Sequence, residues 1–398
     1  MQVIIMGMGY IGLPTAALIA SKKMHVLGVD INPDVVSTIN KGKIHIVEPE
    51  LEGLVHFGVR QGFLLAAGTP KKADVFLVAV PTPFKKDHKP DTAYVENATR
   101  MVMPFLRAGN LFILESTCPV GTTEKLAKLI FAGRPELKGK ISIAYCPERV
   151  LPGSVIHELQ QNDRVIGGID EKSTNDAVAF YARFVKGELH RTNARTAEMC
   201  KLTENAYRDV NIAFANELSI ICDKAGINVN ELIDLASKHP RVKILKPGPG
   251  VGGHCIAVDP WFIVSDFTEE ANMIRQARMT NTYKRDWVIE KVKSAAAGFK
   301  KKNKRAAVVA CLGLSYKPDI DDLRESPALE IVEALAKMKI NVIAVEPHVS
   351  GYKALPFMDT NKAVSQADIV VFLVAHKEFR KLVPGKEKLI MDFCGITK

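Results

Sequence analysis

The residues best suited to chemistry lie in one stretch, Lys246-Pro-Gly-Pro-Gly-Val-Gly-Gly-His-Cys-Ile-Ala-Val-Asp-Pro260. Five glycines and prolines precede its Gly-His-Cys step, so the backbone there is fitted to a tight loop with little side-chain bulk. Such a loop presents one thiol, Cys255, to a ligand. His254 beside it and Asp259 four residues on supply polar groups for activating a nucleophile. A cysteine that only fills a core behaves as a small hydrophobe and needs no such setting.

A second constellation opens the chain. Val3-Ile4-Ile5-Met6 reads as a buried parallel strand and leads into Gly7-Met8-Gly9-Tyr10-Ile11-Gly12, then a helical run from Thr15 to Ala20. A second strand, His25 to Val29, ends in Asp30, 18 positions after Gly12. Strand, glycine turn, helix N-terminus and acid form a complete dinucleotide-binding unit: the glycines admit a pyrophosphate, and the acid receives the ribose hydroxyls. Ile31, Asn32 and Pro33 follow Asp30 with no Arg or Lys for a 2′-phosphate, which favours NAD over NADP.

The elements that must position these groups alternate between strand and helix from residue 1 to about 190, the pattern of a doubly wound α/β domain. Strands predicted at Ala73–Val80, Leu111–Glu115 and Ile141–Tyr145 deliver Thr82, Thr117 and Glu148 to their carboxyl ends, where open α/β sheets bind ligands. One long helix is expected from Thr196 to about Lys224, ending at Gly226. Its Lys201, Asn205 and Arg208 share a face, and Asn205, Asn211 and Asn216 point to a polar, site-facing stripe. From Ala306 a second α/β unit follows, and its Ala367–Ala375 run echoes Ala73–Val80. Lacking the full glycine fingerprint, that unit is expected to take a different nucleotide. The Lys300-Lys301-Lys302 and Lys304-Arg305 cluster reads as a solvated linker. The expected domains are 1–193 for NAD, 194–300 for a central helical dimerisation and catalytic region, and 301–398 for the second nucleotide.

At 398 residues, 47% hydrophobic and 25% charged, the chain has the composition of a globular protein with two or three domains. It has no apolar run near the roughly 20 residues of a membrane span and no basic n-region, so no membrane partner and a cytoplasmic location are expected. Seven cysteines without a C-x-x-C pair fit a reducing compartment and argue against structural zinc or any metal. The net charge of +10 is dispersed and lacks interleaved aromatics, which argues against nucleic acid.

These motifs together resemble the UDP-sugar 6-dehydrogenases over essentially the whole chain. The matching segments are Gly-Met-Gly-Tyr-Ile-Gly, Glu115-Ser-Thr-Cys-Pro-Val-Gly-Thr, Cys146-Pro-Glu-Arg, Lys201-Leu-Thr-Glu-Asn-Ala-Tyr-Arg, Gly-Gly-His-Cys and Gly313-Leu-Ser-Tyr-Lys-Pro. The thiol loop, Arg149, His239 and Arg241 look most like the branch acting on UDP-N-acetyl-D-mannosamine. The resemblance implies two Rossmann-like domains joined by a central helical domain with a long helix. It also implies a four-electron, NAD-dependent oxidation of the sugar C6 alcohol to a carboxylate. Cys255 would form a thiohemiacetal and then a thioester; Lys201 and Asn205 would serve the C6 oxygen. Glu148 would assist hydrolysis, with Asp259 and Thr117 holding water and Lys201. Gly7, Gly9, Tyr10, Ile11, Gly12, Asp30, Thr82, Thr117 and Arg324 would bind NAD. Arg149, Val150, Arg208, His239, Arg241, Gly252, Tyr316 and Lys317 would join Lys201 and Asn205 on the UDP-sugar. A homodimer or homotetramer through the central helices is implied, with Arg241 crossing the interface. The end of the chain departs from the family: Asp392-Phe-Cys-Gly stands where Asp-x-Arg or Asp-x-Lys is usual.

Other readings are a UDP-N-acetylglucosamine or UDP-glucose 6-dehydrogenase, a two-electron hydroxyacid dehydrogenase, and a catalytically silent nucleotide-sugar binder. A two-electron enzyme has no need of Cys255, and a binder has no use for a nucleophile.

Overall fold

Val3-Ile4-Ile5-Met6 is apolar at every position because the sheet it joins is covered on both faces. The computed structural model describes residues 1–85, 89–150, 153–253, 255–352 and 354–397 and forms two compact units, Met1–Thr203 and Glu204–Lys398.

The first unit is built on β1 (Gln2–Met6), β2 (His25–Val29), β3 (Leu64–Ala67), β4 (Val75–Val78), β5 (Leu111–Leu114), β6 (Ser142–Tyr145), β7 (Arg164–Gly168) and β8 (Leu189–Asn193). Its sheet runs β3-β2-β1-β4-β5-β6-β7-β8, parallel except where β7 meets β6 antiparallel. The helices are α1 (Gly12–Ser21), α2 (Pro33–Asn40), α3 (Leu51–Arg60), α4 (Ala93–Val102), α5 (Thr122–Gly133), α6 (Val155–Gln161) and α7 (Glu171–Tyr181). Ile4, Met6, Phe76, Val78, Phe112 and Leu114 pack into one core layer; Val3, Ile5, Leu77 and Ile113 pack into the other. Each large side chain so buried contributes about 1.5–3 kcal/mol.

The 32-residue α8 (Ala194–Ala225) carries the chain onward. It stops as its sequence predicts: Gly226 takes φ +70°, and Ile227 N–H donates to Cys222 O at 2.9 Å, a Schellman ending. The second unit then has α9 (Val229–Ala236), α10 (Asp259–Asp266) and α11 (Asn272–Asn303). Its wholly parallel sheet, in order β10-β9-β11-β12, comprises β9 (Val308–Leu312), β10 (Asn341–Val345), β11 (Ile369–Phe372) and β12 (Leu389–Asp392), with α12 (Pro327–Lys337) and α13 (Thr360–Gln366).

The linker reading of the basic cluster is corrected here. Lys300, Lys301 and Lys302 form the last turn of α11, and Lys304 caps it at φ +58°. Cations there face the negative end of the helix dipole, so the cluster finishes a helix. The strands predicted at 73–80 and 111–115 are shorter than expected, the first trimmed at both ends and the second at its carboxyl end, and the one predicted at 141–145 begins one residue later.

The two sheets share one construction. Gly7 (φ +90°) donates its N–H to Val29 O at 2.8 Å, and Gly313 (φ +87°) donates its own to Val345 O at 2.8 Å. An acid ends the second strand in both. Asp30 accepts Met8 N–H and Asn32 N–H, each at 2.9 Å. Glu346 accepts Leu314 N–H at 2.7 Å, Ser315 N–H at 2.9 Å and His348 N–H at 3.1 Å. The difference is what lies above. Glu346 is buried beneath His376, whose Nε2 is 3.2 Å away, whereas Asp30 is partly open. The Glu346 carboxylate is thereby sealed beneath His376.

Candidate functional site

In the first unit the glycine turn fits a dinucleotide. A Cβ on Gly7 would lie 2.7 Å from Ala79 O and one on Gly12 would lie 1.8 Å from Gly7 O, while at Gly9 nothing lies within 4 Å. Gly7 and Gly12 therefore close the turn, and Gly9 leaves its outer side open for a phosphate. Tyr10 is exposed at the tip and Ile11 precedes α1. Asn32 caps α2 through Asp34 N–H and Pro33 fills the first helical position, so the residues after Asp30 are spent on starting a helix.

Beside the turn, Thr82 Oγ1 donates to Thr117 O at 2.6 Å and Ser116 Oγ to Val80 O at 2.7 Å, fastening the loops that leave β4 and β5. Glu148 ends the segment after β6 and is buried, with Arg149 and Val150 half-buried beyond it. Burial pushes its carboxyl above the usual range, against the opposing charges of Lys201 and Arg164 and the backbone amides of Val150 and Arg149.

The second unit carries the thiol. Cys255 is exposed, and its carbonyl accepts Val258 N–H at 3.0 Å and Asp259 N–H at 2.8 Å, so the thiol sits on the turn that opens α10. Asp259 is buried at the start of that helix and accepts Asn205 Nδ2–H from α8 at 2.5 Å. His254 lies outside the described residues. Gly252 and Gly253 let the loop lie on Tyr316: a Cβ on Gly252 would meet Tyr316 Cβ at 2.8 Å and Glu325 O at 2.3 Å. Gly253, at φ +81°, faces the Tyr316 ring. The expected substrate residues Gly252 and Tyr316 are thus in contact, with Lys317 exposed next to them.

Arg208 is exposed on α8. His239 and Arg241 lie together on the exposed segment after α9, where Arg241 N–H donates to His239 Nδ1 at 3.3 Å. Arg324 is held by Asp322, with Nη2–H donating to Oδ2 at 2.6 Å and Nε–H to Oδ1 at 2.9 Å. Asp392, in the unusual C-terminal motif, accepts the amides of Cys394, Gly395 and Thr397 and so closes a turn after β12. Asp319, His348, His376 and Glu378 bring ligand-type atoms within 4.8 Å of one another and pair among themselves, His348 Nε2 being 3.3 Å from Glu378.

The asparagine stripe divides. Asn205 faces Asp259, but Asn211 Nδ2–H donates locally to Tyr207 O at 2.7 Å, and Asn216 is wholly buried. Asn216 ties the thiol-bearing loop to α11, accepting Gly248 N–H at 2.9 Å and donating to Asn281 Oδ1 at 2.8 Å. Two further positioning carboxylates escaped the sequence reading. Glu198 accepts Thr123 N–H at 2.8 Å and Gly121 N–H at 2.5 Å, pinning the loop after Thr117 to α8. Glu48 accepts Gly153 N–H and Val155 N–H at 2.9 and 2.8 Å, anchoring the start of α6. The partners are remote in sequence, so no local pattern announces them.

A dinucleotide turn on a largely parallel sheet, with an exposed thiol on a loop packed against Tyr316, is the equipment of a nucleotide-dependent dehydrogenase. The chain belongs to the UDP-glucose/GDP-mannose dehydrogenase family: residues 1–185 match its NAD binding domain, 195–283 its central domain and 310–398 its UDP binding domain. It is an NAD-dependent UDP-sugar dehydrogenase. It is 53% identical to a UDP-N-acetyl-D-mannosamine dehydrogenase of Yersinia pestis, covering 99% of this chain and 98% of that one. It is also 53% identical to an NDP-N-acetyl-D-galactosaminuronic acid dehydrogenase of Ralstonia nicotianae, over 98% and 95% of the two chains. A solved UDP-D-ManNAc dehydrogenase from Pyrococcus horikoshii superposes with a TM-score of 0.91 at 40% identity, covering 100% of this chain and 96% of that one.

Proposed function

We propose that this enzyme oxidises the C6 alcohol of UDP-N-acetyl-D-mannosamine to the carboxylate in two NAD-dependent steps, through a thioester on Cys255. The observation that carries this reading is the setting of Cys255: an exposed thiol on a glycine-built turn, beside an Asp259 that Asn205 holds in place. NAD, when bound, accepts a hydride at each oxidation. Gly7, Gly9, Gly12 and Asp30 hold it, with Tyr10, Ile11, Thr82, Thr117 and Arg324 as further contacts.

Lys201 exchanges the proton that the C6 alcohol loses as the hydride leaves and balances charge on its oxygen, and Asn205 donates to the same oxygen. The Cys255 sulfur adds to the aldehyde carbon, retaining it as a thiohemiacetal; the second oxidation leaves a thioester. Glu148 takes a proton from the water that attacks the thioester, which releases the carboxylate and returns the thiol. Burial raises the carboxyl's affinity for a proton, which strengthens Glu148 as a base. Asp259 and Thr117 hold the water and Lys201, while Arg149, Val150, Arg208, His239, Gly252, Tyr316 and Lys317 bind the nucleotide sugar.

The functional division is 1–193 for NAD, 194–300 for the central region and 301–398 for UDP. The location is taken as cytoplasmic, and a homodimer or homotetramer is supported by an apolar stripe on α8. Tyr207, Phe214 and Ile221 recur every seven residues and are 70%, 53% and 53% exposed. Arg241 would complete the partner's site across that interface.

The test is an end-point assay with UDP-N-acetyl-D-mannosamine, UDP-N-acetylglucosamine, UDP-glucose and UDP-N-acetylgalactosamine. Two NADH per sugar, with the mannosamine substrate highest in kcat/KM, is expected. One NADH with free aldehyde would overturn the covalent route, and a preference for another sugar would replace the substrate. The C2 epimers differ by only about 1–3 kcal/mol of contacts, so the sugars must be compared side by side.

A further inference from the structure

Beneath the loop that carries Glu148 lies a buried cluster with no part in the mechanism above. Glu115 follows β5, Cys146 follows β6, Arg164 begins β7 and Tyr181 ends α7; all four are buried. Tyr181 O–H donates to Glu115 Oε1 at 2.6 Å. The Arg164 guanidinium lies 5.6 Å from the Tyr181 ring centre, and its Nη1–H reaches Pro147 O, the carbonyl just before Glu148, at 3.5 Å. Three polar atoms in this cluster are buried without a hydrogen-bond partner among the described residues: Arg164 Nη2, Glu115 Oε2 and Glu148 Oε1. One is a cationic donor and two are carboxylate acceptors. A guanidinium this deep costs several kcal/mol unless anions offset it, and here two carboxylates are within its field.

We propose that Arg164 is a positioning residue for Glu148: from beneath, its guanidinium braces the Pro147 carbonyl and supplies the fixed positive charge that steadies the Glu148 carboxylate, while Glu115 competes for the same guanidinium. The proposal rests on the hydrolytic role given to Glu148 above. Cys146 takes no part as a nucleophile, since burial pushes its thiol up to about 12.

The arrangement has a signature that a merely structural core lacks. Weakening the guanidinium contact and removing its competitor should move Glu148 in opposite directions. The experiment uses the full-length enzyme with NAD and UDP-N-acetyl-D-mannosamine, quenched with acid at intervals. The decay of the sugar adduct on the Cys255 peptide is followed by mass spectrometry from pH 5 to pH 9. In the unaltered enzyme the decay should slow on the acid side as Glu148 becomes protonated. Arg164→Lys, which keeps a charge but loses the fork, should shift that limb upward by about one pH unit. Glu115→Gln, which removes the competing charge, should shift it downward. Arg164→Met is the stronger variant, but it leaves carboxylates buried without a cation; if it fails to fold, the two conservative variants still decide. Limbs that stay in place, or move together, overturn the proposal. Glu148→Gln separates the two levels. If it leaves the limb intact, the role of Glu148 itself falls; if it removes the limb while the other variants leave it unmoved, only the role of Arg164 falls.

Discussion

Cys255 and Cys146 show how far its setting decides what a thiol can do. Cys146 is enclosed beneath the sheet end and held as a neutral thiol, whereas Cys255 is exposed on a turn that opens a helix. Cys255→Ser should lower kcat by about 10³-fold or more and leave NADH binding, read by fluorescence, unchanged, because serine is a poor nucleophile near pH 7 and an ester hydrolyses less readily than a thioester. An ester mass on the residue-255 peptide would mark the stalled step. Near-normal turnover would make the thiol structural. Glu115 offers a test of the buried cluster through stability. Burial raises it to about 7, with Arg164 and the Tyr181 hydrogen bond opposing. A raised acid binds its proton more tightly when folded, so its contribution is fully present below about 4.5 and is lost as pH rises through about 7. Glu115→Gln should therefore gain on the native chain between pH 5 and pH 8, by up to roughly 3 kcal/mol. Denaturant melts at the two pH values measure this, and a difference independent of pH would count against it.

Helices α8 and α11 share a network of buried polar groups. Asn281 Nδ2–H and Arg278 Nη1–H both donate to Asp209 Oδ1, at 2.8 and 2.6 Å, and Asn216 links that network to Gly248. Asn216→Ala leaves the Gly248 amide unsatisfied, at a cost of about 1–3 kcal/mol, and loosens the loop that leads to Cys255. A lower Tm with a raised KM for the UDP-sugar is expected; a lower Tm with unchanged kinetics would confine Asn216 to stability. Lys284, in the same interface, has its Nζ 4.0 Å from the Trp287 ring centre and donates to Ser219 Oγ at 2.6 Å. Burial lowers its pKa from 10.5 to about 7. The unfolded chain then holds more protons between those values, so this group makes stability rise with pH across that window. Lys284→Met should stabilise most near pH 6 and progressively less towards pH 10, which thermal melts across that range would show. At this scale the periodicity revealed α8 and its glycine stop, since both are local. It did not reveal that Asn216 turns inward or that the lysine cluster ends a helix, because those depend on what α11 packs against.

For the whole molecule, the exposed face of α8 bears on assembly. The exposed Tyr207, Phe214 and Ile221 stripe would bury three large side chains per protomer at a two-fold contact. Phe214→Glu with Ile221→Glu should raise the dimer dissociation constant by about 100-fold or more, as sedimentation velocity would read, because central aromatic anchors dominate such interfaces. If Arg241 serves the partner's site, activity should fall in step with dissociation. An unchanged sedimentation coefficient would remove this face from the interface.

What the sequence alone determined are features written within a few turns of chain. These are the glycine turn with its strand and acid, the thiol loop, α8 with its glycine stop, and the repetition of a strand–glycine unit near both ends. Each follows from backbone sterics or side-chain period over neighbouring residues. What only the tertiary structure decided are the pairings across long intervals. Tyr181 reaches Glu115 from 66 positions away, and Asn205 reaches Asp259 from 54. His376 closes over Glu346, 30 positions before it, so that the acid at one of two like-built strand ends is buried while Asp30 at the other stays partly exposed. A buried polar group has no sequence period of its own. Its partner is fixed by sheet order and helix packing, and the desolvation cost of leaving it alone requires the fold to supply one.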